Sequence, residues 1–113
     1  MSPRQRAFAN LLAHLYLRHG QPEKALTILR AASRLAPGDK DLSKSLAYAE
    51  LIAGDAGAAL TAADRYVRAG GDGSDRSPIQ LIRARALLQV GRAAEARACF
   101  GRFVRALDTA LVP

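Results

Sequence analysis

Few side chains in this sequence have the types and spacing that catalysis or metal binding requires. His14 and His19 are its two histidines, and because they lie five residues apart they do not share one face of a helix. Cys99 is far from both in the sequence, so the three do not show the ligand spacing of a zinc site. We therefore predict no metal centre and no catalytic pair. His14 is interpreted as a surface or groove residue and Cys99 as a packed, small hydrophobic residue.

A glycine-rich stretch, Gly70–Gly73, is the other segment that could carry chemistry. It follows a helical pattern and does not have the Lys and Ser or Thr of a phosphate-binding loop. Asp72 and Asp75 are too few to form a calcium site. We interpret the stretch as a flexible loop and expect neither an enzyme nor a cofactor.

The charge is unevenly spread along the 113 residues. The net charge is +7, and residues 76–113 hold seven Arg and two acidic residues. Such a basic C-terminal segment could bind an acidic partner or nucleic acid, or it could form a solvated face. Base stacking needs aromatic side chains beside the Arg residues, and the nearby Phe100 and Phe103 are expected in the core. The solvated face is therefore favoured, with no nucleic-acid partner.

No run of the sequence approaches the length of a membrane span, and no apolar stretch of a signal peptide follows the N-terminal Arg residues. One cysteine excludes an internal disulfide and agrees with a reducing compartment. We expect a cytoplasmic protein without membrane insertion.

The elements that position these residues follow an internal repeat. The stretch that begins at Gly20 recurs 34 residues later from Gly54, and again 37 residues further on from Gly91. Each glycine is suited to ending one helix, and Pro22 is suited to beginning the next. In the last helical stretch, one apolar face is expected from Ala96, Phe100, Phe103 and Leu107. The predicted helices cover residues 4–18, 22–35, 40–53, 56–69, 77–90 and 93–108.

The period and its small residues resemble the tetratricopeptide repeat (TPR). Ala13 and Ala25 stand where that family has small residues at a helix crossing, while Glu50, Tyr66 and Arg83 depart from its pattern. The resemblance implies an all-α fold of three tandem TPR helical hairpins that form a short right-handed α-solenoid. It implies a single TPR domain over residues 1–113, with repeats at about 4–38, 39–72 and 77–108.

In that family the first helix of each hairpin lines a concave surface that binds partners. Several of the residues that this register places there are large and apolar, and an exposed apolar patch marks an interaction site. Alternatively, neighbouring helices cover some of them. The predicted partner-binding residues are Asn10, His14, Leu17, Arg18, Lys44, Tyr48, Leu51, Ile52, Leu81, Arg85 and Leu88.

Within the family, the sequence is most similar to small chaperones of bacterial type III secretion, the YscY/SctY group. The similarity lies in Arg4-Gln5-Arg6-Ala7-Phe8 and in the stretch from Leu81 to Phe103. It implies a cytoplasmic chaperone that forms a heterodimer with a small secreted partner of the YscX/SctX type, through a helical segment, and helps deliver it to the inner-membrane export gate. A generic TPR interaction scaffold, a translocator chaperone and a nucleic-acid-associated module remain as alternatives.

Overall fold

The computed structural model describes residues 1–111, and every regular element in that range is an α-helix. The predicted all-α fold of three TPR hairpins is confirmed. The predicted helix bounds agree to within three residues, and the largest difference is at the end of the last helix. The helices are α1 (Pro3–Arg18), α2 (Pro22–Leu35), α3 (Lys40–Ile52), α4 (Ala56–Arg68), α5 (Ile79–Gln89) and α6 (Ala93–Leu111).

Polar side chains fix the starts of several helices by accepting hydrogen bonds from free backbone N–H groups. Ser2 and Gln5 form a reciprocal capping box at α1. Asp39 accepts from the Leu42 N–H at 3.1 Å at the start of α3. Before α5 the Ser77 hydroxyl oxygen accepts from the Ile79 N–H, so this helix begins two residues later than predicted.

The helix ends share one backbone motif. Gly20, Gly54 and Gly91 have positive φ angles, as their position in the repeat predicts, and Gly70 at the end of α4 has one too. At Gly54 the residue that follows, Asp55, donates its N–H to the Glu50 carbonyl at 2.9 Å. A glycine allows this left-handed turn without a Cβ penalty, and the turn sends the chain back along the helix it has just left.

The helices pack in sequence order, and the first helices of the hairpins also contact one another. Each hairpin pairs two consecutive helices, α2 packs on α3, and α4 packs on α5. In addition, α3 contacts both α1 and α5. Fully buried alanines lie at these contacts and let the backbones approach closely. They include Ala13, Ala25, Ala47 and Ala59.

Two of the three departures from the repeat pattern, Tyr66 and Arg83, have a hydrogen-bonding or ion-pair partner. Tyr66 is buried, and its hydroxyl oxygen accepts a hydrogen bond from the Asp72 N–H at 3.1 Å. Arg83 pairs with Asp64 of the preceding helix at 2.7 Å. Glu50 is buried, and this burial raises the pKa of its carboxyl group. Arg83 thus ties the third hairpin to the middle one and Tyr66 fixes the loop between them, and the repeat alone predicts neither contact.

The expected apolar face of the last helix is only partly buried. Ala96 and Phe103 are buried, together with Cys99. Phe100, which was expected in the core, is half exposed, and so is Leu107. The expectation for Phe100 was wrong because α5 covers only one side of α6, and Phe100 lies outside that side.

Candidate functional site

A cavity of about 510 Å³ lies along the first helices of all three hairpins. Helices α1, α3 and α5 each contribute residues to it, so the cavity exists only when the hairpins are stacked. We call this surface the groove. The residues that line it are Asn10, His14, Asp41, Lys44, Ser45, Tyr48, Pro78, Leu81, Ile82 and Arg85.

The apolar part of the groove lies between α3 and α5. Tyr48 and Leu81 are each more than one third exposed, although both are large apolar side chains. Ile82 beside them is buried and closes the base of the groove. Large apolar side chains that converge on a concave surface gain free energy when a partner removes them from water. This part of the groove can therefore hold apolar side chains of a ligand.

The opposite wall is a hydrogen-bonded group that joins α1 to α3. The Ser45 hydroxyl donates to Oδ1 of Asn10, and the Ser45 Oγ lies 3.1 Å from Nε2 of His14. Because the hydroxyl proton points to Asn10, the His14 Nε2 carries a proton and donates to Ser45. Asn10 and His14 are thereby held in fixed positions along the groove wall, with polar atoms available to a ligand backbone.

Charged side chains stand at the rim of the groove. The Lys44 Nζ lies 5.9 Å from the centre of the Tyr66 ring, which is within the range of a cation–π interaction. Neither Lys44 nor Arg85 has a carboxylate within 4.0 Å among residues 1–111. Asp41 is the one acidic residue of the lining. The rim therefore presents two cations that a carboxylate of a ligand could pair with.

The groove continues toward the start of α1. A second cavity of about 500 Å³ shares Asn10, His14 and Asp41 with the first and extends to Pro3. Near its end the guanidinium of Arg6 pairs with Asp39 at 3.0 Å, which ties α1 to the beginning of α3. The two cavities together offer a path for an extended or helical segment rather than a closed pocket for a small molecule.

The predicted partner-binding residues fall into three groups. Six of them line the groove: Asn10, His14, Lys44, Tyr48, Leu81 and Arg85. Arg18 and Ile52 are exposed near the ends of their helices but lie outside the groove lining. Leu17 is half buried and packs against the core.

The structure contradicts the prediction that Leu51 contacts a partner. This residue is only 2% exposed and belongs to the core, so it is not available to a ligand. Its counterpart Leu88, 37 residues later in the repeat, is 62% exposed and lies outside the groove. The two differ because α3 is followed by another hairpin that packs on it. This repeat position therefore belongs to the contact between hairpins and not to the concave surface.

Four lining residues, Asp41, Pro78, Ser45 and Ile82, are absent from the predicted set. Ser45 and Ile82 lie three residues before Tyr48 and Arg85 respectively, and Asp41 and Pro78 lie seven residues before them, so all four follow the same helix face. That helical spacing could have identified them.

The reactive side chains of residues 1–111 do not gather into a metal site. Within the part of the chain that the structure describes, no three His, Cys, Asp or Glu residues cluster in a way that could hold a metal ion. Cys99 is buried, and its thiol donates toward the carbonyl and side-chain oxygens of Gln80, at 3.5 and 3.4 Å. None of the helices in residues 1–111 has the length and apolar character to cross a membrane.

The model of the family described as tetratricopeptide repeat matches residues 10–74, which is more than half of the sequence. This match covers α2, α3 and α4 and most of α1. A comparison with curated proteins finds no match.

Proposed function

The chain belongs to the tetratricopeptide repeat family, whose members serve as protein-interaction scaffolds, and on that premise we propose that its groove binds a helical segment of a protein partner. The observation that carries this proposal is the single cavity to which the first helices of all three hairpins contribute. A groove built across repeats is suited to a ligand that runs across them, such as an amphipathic helix.

The groove offers two kinds of contact to such a helix. Tyr48 and Leu81 provide apolar area, and burying the exposed third of each contributes roughly 0.5–1 kcal/mol before the cost of ordering the ligand. Lys44 and Arg85 provide cations at the rim, where they favour a ligand with acidic residues and fix its direction. Affinity then arises mainly from the apolar anchors, and orientation from the charges.

We further propose that the protein is a type III secretion chaperone of the YscY/SctY type. Its partner would be a small secreted protein of the YscX/SctX type, bound as a heterodimer and delivered to the inner-membrane export gate. The support is the sequence similarity at Arg4–Phe8 and from Leu81 to Phe103. The groove fits this role because a chaperone must cover an apolar helical segment until export.

Co-expression with such a partner, followed by purification through one of the two chains, tests the proposal. Leu81→Glu places a charge in the groove and should remove the partner from the purified complex. Leu35→Glu is the matched control, since Leu35 is an exposed leucine outside the groove. Leu51→Glu is unsuitable because it would bury a charge and unfold the protein.

The alternatives give different results in the same experiment. If the partner remains bound to the Leu81→Glu protein as it does to the wild type, the groove is not its site. Capture of an unrelated helical protein through the same residues would support a generic scaffold over a secretion chaperone. Binding of nucleic acid that weakens steeply with salt and ignores Leu81→Glu would favour the Arg-rich end instead.

A further inference from the structure

The last hairpin carries a second apolar surface, away from the groove. Its members come from α5 and α6 and are between 39% and 62% exposed. We call this surface the end face, and its residues are Leu88, Phe100, Val104 and Leu107.

Two of these residues occupy repeat positions that are buried in the earlier hairpins. Phe100 lies 37 residues after Ala63, which in turn lies 34 residues after Leu29, and both Ala63 and Leu29 are fully buried. Leu88 lies 37 residues after Leu51, which is also buried. The following hairpin covers the position of Phe100 in both earlier hairpins, and it covers the position of Leu88 fully at Leu51 and in part at Leu17. The end face therefore corresponds to the surface against which, in the first two hairpins, the following hairpin packs.

The positive charge at the end face favours the binding of a helix with acidic side chains. Arg97 stands at the repeat position that Leu60 occupies in α4 and Leu26 in α2. Arg97 and Arg105 are exposed, and neither has a carboxylate within 4.0 Å in residues 1–111. Arg97 lies three residues before Phe100 on the same side of α6, so a helix docked here would meet its unpaired guanidinium group. Acidic side chains on that helix would pair with it.

A second copy of the chain does not offer acidic side chains at this contact. Its α1 is the element that would continue the stack, and α1 exposes Phe8, Leu11 and Leu15 on the corresponding face. However, Arg4 and Arg18 stand at the two ends of α1, so two basic surfaces would face each other. Large side chains of α1 would also meet Phe100, at a position where the contact between the second and third hairpins has Ala63.

We propose that the end face docks an amphipathic helix of a partner protein, with Asp or Glu beside its apolar stripe, in the position that the first helix of a fourth hairpin would take. This site is separate from the groove. The helix would bury Leu88, Phe100, Val104 and Leu107 and pair with Arg97.

A peptide-binding measurement tests this proposal. The probe is a fluorescein-labelled helical peptide of about 18 residues, with Leu on one face and Glu on the flanks, and a matched peptide carries Lys in place of Glu. The full chain should bind the Glu peptide and not the Lys peptide in fluorescence anisotropy. Phe100→Glu should weaken the binding about tenfold or more, and Arg97→Glu should weaken it as well.

Matched variants locate the binding site. Phe8→Glu at the opposite end of the solenoid should leave the affinity for the Glu peptide unchanged. The Glu peptide should still bind in a Leu81→Glu background, where the groove is blocked, and Phe100→Glu should weaken binding in that background too. If Phe100→Glu perturbs the helical content in circular dichroism, Val104→Glu replaces it, since Val104 is another exposed residue of the same face.

Three results would overturn the proposal. The first is equal affinity of the Glu peptide for the wild type and the end-face variants. The second is loss of binding with Leu81→Glu alone, which places the peptide in the groove and leaves the proposed function standing. The third is self-association of the chain that depends on its concentration in sedimentation and that Phe100→Glu abolishes. This result would mean that a second copy of the chain covers the end face.

Discussion

The ring of Tyr66 fills the space that a side chain at Gly71 would need. A Cβ atom at Gly71 would lie 2.4 Å from the Tyr66 Cζ and 2.5 Å from its two Cε atoms. The Gly71 N–H also donates to the Tyr66 carbonyl at 2.9 Å, and the Asp72 N–H donates to the Tyr66 hydroxyl. A tyrosine where the repeat usually has alanine thus fixes the path of the loop after α4.

Gly71→Ala should destabilise the protein by about 1–3 kcal/mol, because the new methyl group cannot fit beside a packed ring. Chemical denaturation, monitored by circular dichroism, measures the change. In a Tyr66→Ala background the same substitution should cost less, since the space is then open. Equal costs in the two backgrounds would show that the contact does not limit position 71.

Glu50 should make the stability depend on pH. Burial raises the pKa of its carboxyl group, Asp55 raises it further, and Arg30 and Arg65 act in the opposite direction. The folded state therefore binds this proton more tightly than the unfolded state. The resulting stabilisation is present below the ordinary pKa of a glutamate and is lost as the pH rises through the raised value.

Glu50→Gln removes this titration and provides the measurement. We expect the free energy of unfolding of the wild type to fall relative to the variant as the pH rises across that window, with urea denaturation at a series of pH values as the assay. A difference that stays constant with pH, or that changes in favour of the wild type, contradicts the role of the buried carboxyl group.

Cys99 should react slowly with thiol reagents in the folded protein. It is buried, and its thiol faces the oxygens of Gln80. A reagent such as dithionitrobenzoate should modify it at least about ten times more slowly than a cysteine placed at Leu35 in a Cys99→Ala background, since residue 35 is exposed. Comparable rates would mean that α6 opens readily from α5.

Ala47 should not tolerate a larger side chain. It is fully buried in α3, which contacts α1, α2, α4 and α5. Ala47→Leu should cost about 1–3 kcal/mol of stability because the helices would have to separate. Ala31→Leu is the control: Ala31 is exposed on α2, and this change should alter the free energy of unfolding by less than about 0.5 kcal/mol.

The local elements were predictable because their signals are local. Gly54 ends a helix and Pro22 begins one through backbone geometry that depends on a few neighbouring residues. The register of the repeat then places Tyr48 and Leu81 on the inner faces of their helices, where the groove lies.

Burial between hairpins was less predictable, because it depends on what packs against each copy of the repeat. Leu51 and Leu88 occupy one repeat position, yet the first is in the core and the second is exposed. Phe100 was misjudged for the same reason. Sequence periodicity predicts which face of a helix is apolar. Whether that face is buried depends on how many hairpins pack against it.

The burial is concentrated in the middle of the stack. Eight residues of α3 are buried but only two of α1, and α1 and α6 each carry at least three exposed large apolar residues. In a linear array each unit is held only by its neighbours, so the outer hairpins open at lower free energy than the central one. Amide hydrogens of α3 should therefore exchange last. A ligand bound at either end would act as an added neighbour, and the slowing of exchange in α1 or α6 would report which end it occupies.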